Sequence, residues 1–191
     1  TLIPTPNSQA VIESVLKYLP QDENFNFLDL GTGSGCLIIS ILEEFKNSQG
    51  AGIDISKNAI SIEKKNKKNI NNDLNLSFIV HDFFTYDTKG FDIIICNPPY
   101  VPKNELNEIT EEVINFEPHL ALFPEKGTKD CYGKIISNIK LTNNKNCYIF
   151  FEIDYRDHVL VSNILKDNDF SVLAAENDLT NRPRCIVAKM N

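Results

Sequence analysis

Apolar and polar positions alternate along this chain in blocks that predict strands and helices in turn. Short apolar runs, each followed by a segment of helical length and period, are typical of strand–helix repeats. The predicted strands lie at residues 24–30, 50–55, 76–80, 91–96, 146–153, 170–175 and 184–189. Because such repeats form a mostly parallel sheet with helices on both faces, we predict an α/β fold. The short final crossing predicts a closing hairpin with one antiparallel strand.

The helical segments predict one helix before the first strand and others between the strands. Apolar residues recur at helical spacing after residue 7, and Asn7 or Ser8 is a candidate N-cap. The predicted helices lie at residues 7–19, 36–45, 56–69 and 158–168, with one or two more between 97 and 145. The first of them is expected to pack on the domain rather than to act as a linker.

Length and charge narrow the class of protein. A chain of 191 residues is long enough for one α/β domain and short for two. Its net charge of -7 argues against a general nucleic-acid binder, and we interpret the one basic cluster, residues 63–69, as the solvated face of a helix. No apolar run approaches the roughly 20 residues that span a bilayer.

Five cysteines, an odd number without any C-x-x-C pair, make zinc or a disulfide framework unexpected and fit a reducing compartment. The chain begins at Thr1 rather than Met, which suggests a fragment of a longer protein.

A glycine-rich segment, LDLGTGSGC at residues 28–36, follows the first predicted strand. In open α/β sheets, ligands bind beyond the carboxyl ends of the strands. Gly31, Gly33 and Gly35 let the backbone approach a ligand closely, and the next helix offers unpaired N–H groups. Cys36 occupies the place of the third glycine of the dinucleotide motif, so the pattern differs from that of a nicotinamide-cofactor site.

Carboxylates near this loop favour S-adenosylmethionine (SAM) over NAD. Asp29 precedes the loop and suits an amino group better than a pyrophosphate, whereas Asp54 ends the second strand and is able to accept both ribose hydroxyls. Asp82, after the third strand, is a candidate partner for an adenine amino group. Phe83 is a candidate for packing on the adenine ring, with an ordinary core position as the equal alternative.

The fourth strand ends abruptly on Asn97, Pro98, Pro99 and Tyr100. Proline forces the preceding residue into an extended conformation, so Asn97 is expected to project from the strand end. Its side-chain carbonyl and the backbone carbonyl of Pro98 together match a planar NH₂ group, and Tyr100 offers a face for a flat substrate. The chemistry that needs such a cradle is methyl transfer to a nitrogen whose lone pair is delocalised. The alternative reading is a simple strand-ending turn.

The segments DLGTGSG, GIDIS and NPPYVP, in this order, resemble the class I SAM-dependent methyltransferases that modify planar amino groups. More narrowly, the chain is similar to the catalytic domain of the PrmC/HemK family, which methylates the glutamine of the Gly-Gly-Gln motif in peptide chain release factors. Further similarities run along nearly the whole chain: LIPTP (2–6), FEPHLALF (116–123), Tyr132, FEI (151–153) and DLTNRPR (178–184).

The resemblance implies a Rossmann-like sheet of seven strands, the last antiparallel, and a set of site residues. SAM would be lined by Asp29, Gly31, Thr32, Gly33, Gly35, Asp54, Ile55, Asp82, Phe83 and Asn97, and the glutamine amide would be held by Asn97, Pro98, Pro99 and Tyr100, with Asn97 and Pro98 catalytic. No metal is implied. The chain departs from the family pattern at Thr5, Asn7, Pro124 and Asp154, and it lacks the family's small helical N-terminal domain.

The resemblance also implies a release factor as the protein partner, a monomer without membrane or direct nucleic-acid contact, and a cytoplasmic location, or an organelle such as the mitochondrial matrix in a eukaryote. Two alternatives stay open at this point. One is an amino-methyltransferase that acts on nucleic acid, at adenine N6 or guanine N2. The other is a SAM-binding module that has lost catalysis.

Overall fold

Seven strands form one mixed sheet in the computed structural model, which describes residues 6–98, 127–142 and 146–191. They are β1 (Asn26–Leu30), β2 (Gln49–Asp54), β3 (Leu76–Val80), β4 (Ile93–Cys96), β5 (Tyr148–Glu152), β6 (Phe170–Asn177) and β7 (Pro183–Met190). Their order across the sheet is β3-β2-β1-β4-β5-β7-β6. The pairs from β3 to β5 are parallel, whereas β7 is antiparallel to both β5 and β6. The predicted fold class is confirmed, including the closing hairpin.

Helices cover both faces of this sheet. They are α1 (Pro6–Tyr18), α2 (Cys36–Glu44), α3 (Lys57–Ile70), α4 (Thr128–Thr142) and α5 (His158–Asp167), with a one-turn 3₁₀ helix at Tyr155–Asp157. The predicted helical segments are found close to their expected bounds.

No helix within the described ranges has both the length and the apolar content that a bilayer crossing requires.

The predicted cap of α1 is wrong. The helix begins at Pro6, so Asn7 and Ser8 lie inside its first turn instead of preceding it. Proline is favoured at the first helical position because its missing N–H would have no partner there and its φ is already helical. By contrast, α3 has a side-chain cap: the hydroxyl of Ser56 accepts the backbone N–H of Ala59 at 3.3 Å.

The continuous apolar run of β4 is explained by burial on both faces. Ile93 and Ile95 pack in the cluster formed with α1 and α2, and Ile94 packs in the cluster formed with α4 and α5. Successive side chains of a strand point to opposite faces, so a strand covered on both sides reads as unbroken hydrophobic sequence. All three isoleucines are fully buried.

The strand order places a topological switch point between β1 and β4. From β1 the chain winds outward through β2 to β3 and then returns to the other side of β1 as β4. Leu30 of β1 pairs with Ile53 of β2 on one side and with Cys96 of β4 on the other. The segments that follow these three strands therefore leave the sheet at one edge, where open α/β sheets bind their ligands.

Core packing at β4 gives a first prediction. Ile94→Ala should lower the free energy of unfolding by about 2–5 kcal/mol, because it removes a fully buried side chain between strand and helices. Ile62→Ala is the matched control: this α3 side chain is 50% exposed, so the loss should stay within about 0.5 kcal/mol. Urea denaturation of both variants measures the difference, and equal losses would contradict the assigned burial.

Candidate functional site

The loop after β1 is held in a conformation that requires glycine. Gly31, Gly33 and Gly35 have φ values of 75°, 59° and 74°, in the left-handed region that side chains disfavour. The backbone N–H groups of Gly31 and Thr32 both donate to the carbonyl of Ile53, at 2.9 and 3.0 Å. The N–H of Gly35 donates to the carbonyl of Thr32 at 2.9 Å, which closes the turn before α2. The loop is therefore tied to β2 as well as to its own strand.

Asp54, at the end of β2, faces this loop as predicted from its position. Its Oδ2 accepts the N–H of Gly33 at 3.1 Å, and its Oδ1 accepts the N–H of Ser56 at 2.8 Å. These two bonds orient the carboxylate, and each oxygen keeps a further lone pair for another donor. Ile55, the next residue, is half-buried. Contact of Asp54 and Ile55 with a ribose remains a prediction.

A buried acidic cluster lies under the glycine loop; its Asp29 was a predicted site residue, whereas its Glu63 was missed by sequence reasoning. Asp29 and Glu63 are 1% and 0% exposed, and Thr32 is buried beside them. The pKa of Asp29 is raised to about 7 and that of Glu63 to about 8, mainly by burial. Asp54 contributes to the rise for Asp29, Asp29 and Asp54 contribute to it for Glu63, and the Thr32 hydroxyl opposes both shifts. The interpretation of residues 63–69 as a solvated face holds for lysines such as Lys64 and Lys65, which are exposed, and is wrong for Glu63.

Charge at the loop therefore favours a cationic group over an anionic one. The Oδ2 atom of Asp29 is buried and has no hydrogen-bond partner among the described residues. An unpaired buried acceptor of this kind gains from a donor or a cation. A pyrophosphate at the same place would meet the carboxylate of Asp54, which already occupies the N–H of Gly33.

Asp82 and Phe83 occupy the connection after β3. Asp82 is half-buried, and its Oδ1 accepts the N–H of Phe84 at 2.9 Å. Phe83 is 2% exposed, belongs to the core and lies about 3.5 Å from where a side chain on Gly31 would begin. Phe84, which sequence reasoning did not single out, lines with Asp82 a cavity of about 820 Å³ that reaches α4. The adenine roles of Asp82 and Phe83 stay predictions.

The tip of β4 stands next to the glycine loop. Because Leu30 pairs with Cys96, the residues that follow, Gly31 and Asn97, leave adjacent strands at the same level. Asn97 is half-buried and Pro98 is buried. The remaining predicted residues of this motif, Pro99 and Tyr100, lie outside the described residues. The structure thus brings together the glycine loop, Asp54 and the first half of the asparagine–proline motif.

Residues at the end of β5 explain two of the remaining sequence features. The hydroxyl of Tyr132, a buried residue of α4, donates to the carbonyl of Glu152 at 2.8 Å and so fixes the helix against the strand end. Asp154, where the chain departs from the family pattern, pairs with Arg156 at 2.8 Å and accepts its backbone N–H at 2.9 Å. That carboxylate caps the 3₁₀ turn, and its pKa is lowered by these bonds. The departures at Thr5 and Pro124 lie outside the described residues.

The fold and this site define a Rossmann-like methyltransferase domain. The methyltransferase domain family matches residues 21–153, more than half of the chain, and the chain belongs to that family. Within it, the chain is 34% identical over 189 residues to the release factor glutamine methyltransferase of Lactococcus lactis and spans 69% of its length. It belongs to the release factor glutamine methyltransferase family.

A second relative and a solved structure agree with this placement. The release factor glutamine methyltransferase of Fusobacterium nucleatum is 36% identical over 191 residues, covering 98% of this chain, and the chain spans about half, 53%, of that relative's length. The fold is similar to that of the magnesium protoporphyrin IX methyltransferase of Synechocystis with bound SAM, with a TM-score of 0.68 at 16% identity, covering 97% of this chain and 80% of the other. The last comparison concerns the fold alone.

The glycine loop gives a second prediction. An added Cβ at Gly35 would lie 3.1 Å from Cγ of Glu63, whereas one at Gly33 would meet nothing within 4 Å. Both alanine variants should lose about 1–2 kcal/mol from the left-handed backbone. Gly35→Ala should lose about 1–3 kcal/mol more, because the fully buried Glu63 would have to shift by a few tenths of an ångström to admit the methyl group. Free energies of unfolding that match in the two variants would contradict the close packing of Glu63 on the loop.

Proposed function

We propose that the chain, residues 1–191, is the catalytic domain of a SAM-dependent methyltransferase that acts on protein glutamine. Its reaction transfers a methyl group to the side-chain amide nitrogen, N5, of the glutamine in the Gly-Gly-Gln motif of a peptide chain release factor. The release factor is then its protein partner, and translation termination is the process it serves. The chain's family membership and the arrangement of the strand ends support this proposal.

One observation carries the proposal: the glycine loop after β1 and the Asn97–Pro98 tip of β4 leave adjacent strands at the switch point. The pairing of Leu30 with Cys96 sets this level. A methyl donor in the loop and a planar amide at the tip would then lie side by side. Transfer needs that proximity, since holding two reactants in line can supply several kcal/mol of the barrier reduction.

The residues around the loop fit SAM. Glycines with positive φ at positions 31, 33 and 35 provide a close backbone approach, and the unpaired Oδ2 of Asp29 suits the cationic amino acid tail. Asp54, oriented by the N–H groups of Gly33 and Ser56, would hold the ribose. When bound, SAM supplies an electrophilic methyl group on a sulfonium centre.

The strand tip is assigned to the glutamine amide. An amide nitrogen is a poor nucleophile because its lone pair is delocalised into the carbonyl. The side-chain carbonyl of Asn97 and the backbone carbonyl of Pro98 would accept its two N–H bonds and so stabilise charge that develops on nitrogen as it attacks. An aimed group of this kind typically contributes about 2.7–4 kcal/mol to transition-state stabilisation. No side-chain base is needed, because the proton leaves to water after transfer.

The two alternatives are less well supported. A nucleic-acid amino-methyltransferase would share the chemistry of the Asn97 tip, but a net charge of -7 opposes approach to a phosphate backbone. A binding module without catalysis would explain the glycine loop but not the acceptors at the end of β4. We place the enzyme in the cytoplasm, where release factors act, and expect it to be a monomer. All five cysteines are free thiols in the structure, which fits a reducing compartment.

Asn97 gives the mechanistic prediction. Asn97→Ala should lower kcat for release factor methylation by about 10²–10³-fold, because one of the two aimed acceptors is lost. The dissociation constant for SAM should stay within a few-fold of the parent, as measured by calorimetry. The control is Asn47→Ala, because Asn47 is an exposed asparagine that follows α2; this variant should leave kcat unchanged. A kcat within a few-fold of the parent for Asn97→Ala would refute the amide cradle.

The substrate is tested by label transfer from tritiated SAM. We expect label on an intact release factor and none on the same factor with its Gly-Gly-Gln glutamine changed to alanine. DNA and RNA, incubated separately, should stay unlabelled. Label confined to nucleic acid would favour the nucleic-acid amino-methyltransferase. Equal labelling of the intact release factor and of its glutamine-to-alanine variant would exclude this glutamine as the acceptor.

A further inference from the structure

Glu63 is a charged residue on the buried face of α3. Its lysine-rich sequence neighbours predict that it is exposed to solvent, whereas its place on the buried face predicts an apolar side chain. Helix α3 buries only Ile60 and Glu63, which are three residues apart and therefore share one face. Glu63 is 0% exposed. Taking a carboxylate out of water is costly, and an apolar residue of similar size would be expected to stabilise this interface better. A buried glutamate here calls for a role other than packing.

Within the described residues, the buried side-chain oxygens that lack a hydrogen-bond partner all belong to Glu63 and its neighbours. In the described ranges, the buried side-chain oxygens without a hydrogen-bond partner are Oδ2 of Asp29, Oγ1 of Thr32 and both Oε atoms of Glu63. Native proteins leave few such atoms, and each one that persists needs an explanation. Here four of them belong to three neighbouring residues under one loop, which is the arrangement of an incomplete polar site.

Glu63 also touches the loop itself. Its Cγ and Cβ lie 3.1 and 3.3 Å from the position that a side chain on Gly35 would take. One turn further along α3, the side-chain amide of Asn66 donates to the backbone carbonyl of Ser34 at 2.9 Å. The same helix face therefore supports the glycine loop through two residues one turn apart, so a change of charge at Glu63 acts directly on the loop.

The charged groups that act on Glu63 come from β1, β2 and its own helix. Burial is the largest cause of the raised pKa of Glu63; Asp29 from β1 and Asp54 from β2 raise it as well, whereas Lys64 on α3 lowers it. The Thr32 hydroxyl satisfies no hydrogen-bond geometry with Glu63 or with Oδ2 of Asp29 in this structure, yet it lies close enough to both carboxyls to favour the ionised form of each. Near neutral pH, Asp29 and Glu63 thus hold protons between them.

We propose that Glu63 is a positioning residue of the cofactor site: with Asp29 and Thr32 it forms a proton-sharing cluster under the glycine loop that ionises when a cationic ligand binds above it. This inference rests on SAM being the occupant, as proposed above. The sulfonium and ammonium charges favour the carboxylate forms, and the displaced proton passes to the buffer. Glu63 acts through Asp29 and the loop and makes no contact with the reacting atoms.

The proton balance is measured by calorimetry of SAM binding at pH 8 in buffers of different ionisation enthalpy. At this pH Asp29 is already mostly ionised and Glu63, with a pKa of about 8, is half protonated. The SAM amino group also titrates near this pH, so the readout is the difference between variants, in which its contribution cancels. The parent should release about half a proton more per SAM bound than Glu63→Gln, which keeps the shape and cannot titrate at this position. Glu44→Gln, at an exposed glutamate of α2, should match the parent.

A second measurement, without ligand, separates titration from packing. A carboxyl whose pKa is raised on folding contributes stability that is lost as pH rises from its unfolded value toward its folded value. For Glu63 that window runs from 4.5 to about 8. The melting temperature of Glu63→Gln relative to the parent should thus rise steadily between pH 5 and pH 8, whereas that of Glu44→Gln should stay flat. A purely structural role would shift the Glu63→Gln melting curve equally at every pH.

The outcomes distinguish this inference from the proposed function. SAM binding with the same proton release in the parent and in Glu63→Gln would overturn the role of Glu63 and leave the methyltransferase proposal intact. Absence of SAM binding to the parent would overturn both. A proton release lower in Glu63→Gln than in the parent, together with the pH-dependent rise in melting temperature, would support the shared cluster.

Discussion

The site depends on one backbone carbonyl, that of Ile53, which accepts hydrogen bonds from both Gly31 and Thr32. A loop of three left-handed glycines has little intrinsic preference for a single shape, because glycine loses more conformational entropy on ordering than any other residue. Two bonds to the neighbouring strand fix the start of the loop relative to β2. Gly33 is thereby presented to the carboxylate of Asp54, and Gly31 is brought against the Phe83 ring. Loop, strand and core are thus positioned together.

Much of this arrangement could be predicted because its signals are local. A strand buried on both faces appears as an uninterrupted apolar run, which is why the isoleucines of β4 were identified. The edge strand β3 is only partly buried, and its match to residues 76–80 rests on its short run of apolar residues between polar segments. Once strands alternate with helices, parallel order places the residues after β1, β2 and β4 at one edge. The proximity of Asp54 and Asn97 to the glycine loop follows from that register, and no contact had to be known in advance.

What could not be predicted depends on how elements pack against one another. Glu63 stands in a run of lysines, and its burial results from the rotation of α3 toward the loop, which the sequence pattern does not specify. The start of α1 at Pro6 reflects a competition between two helix-start signals, a proline and a polar cap, one or two residues apart. Phe84 rather than Phe83 lines the cavity beside Asp82, because neighbouring aromatic residues alternate between core and surface and only the tertiary structure decides which is which.

The same physics accounts for the choice of cofactor class. Glycine loops that lead into a helix commonly bind pyrophosphate, since their N–H groups and the helix dipole favour an anion. In this chain the N–H of Gly33 is taken by Asp54, and Asp29 and Glu63 lie buried below the loop. An anion would therefore find a donor already occupied and would raise the cost of ionising two enclosed carboxyls. A cation reverses each of these effects, so a loop geometry shared with dinucleotide sites becomes selective for a positively charged ligand through the side chains that surround it.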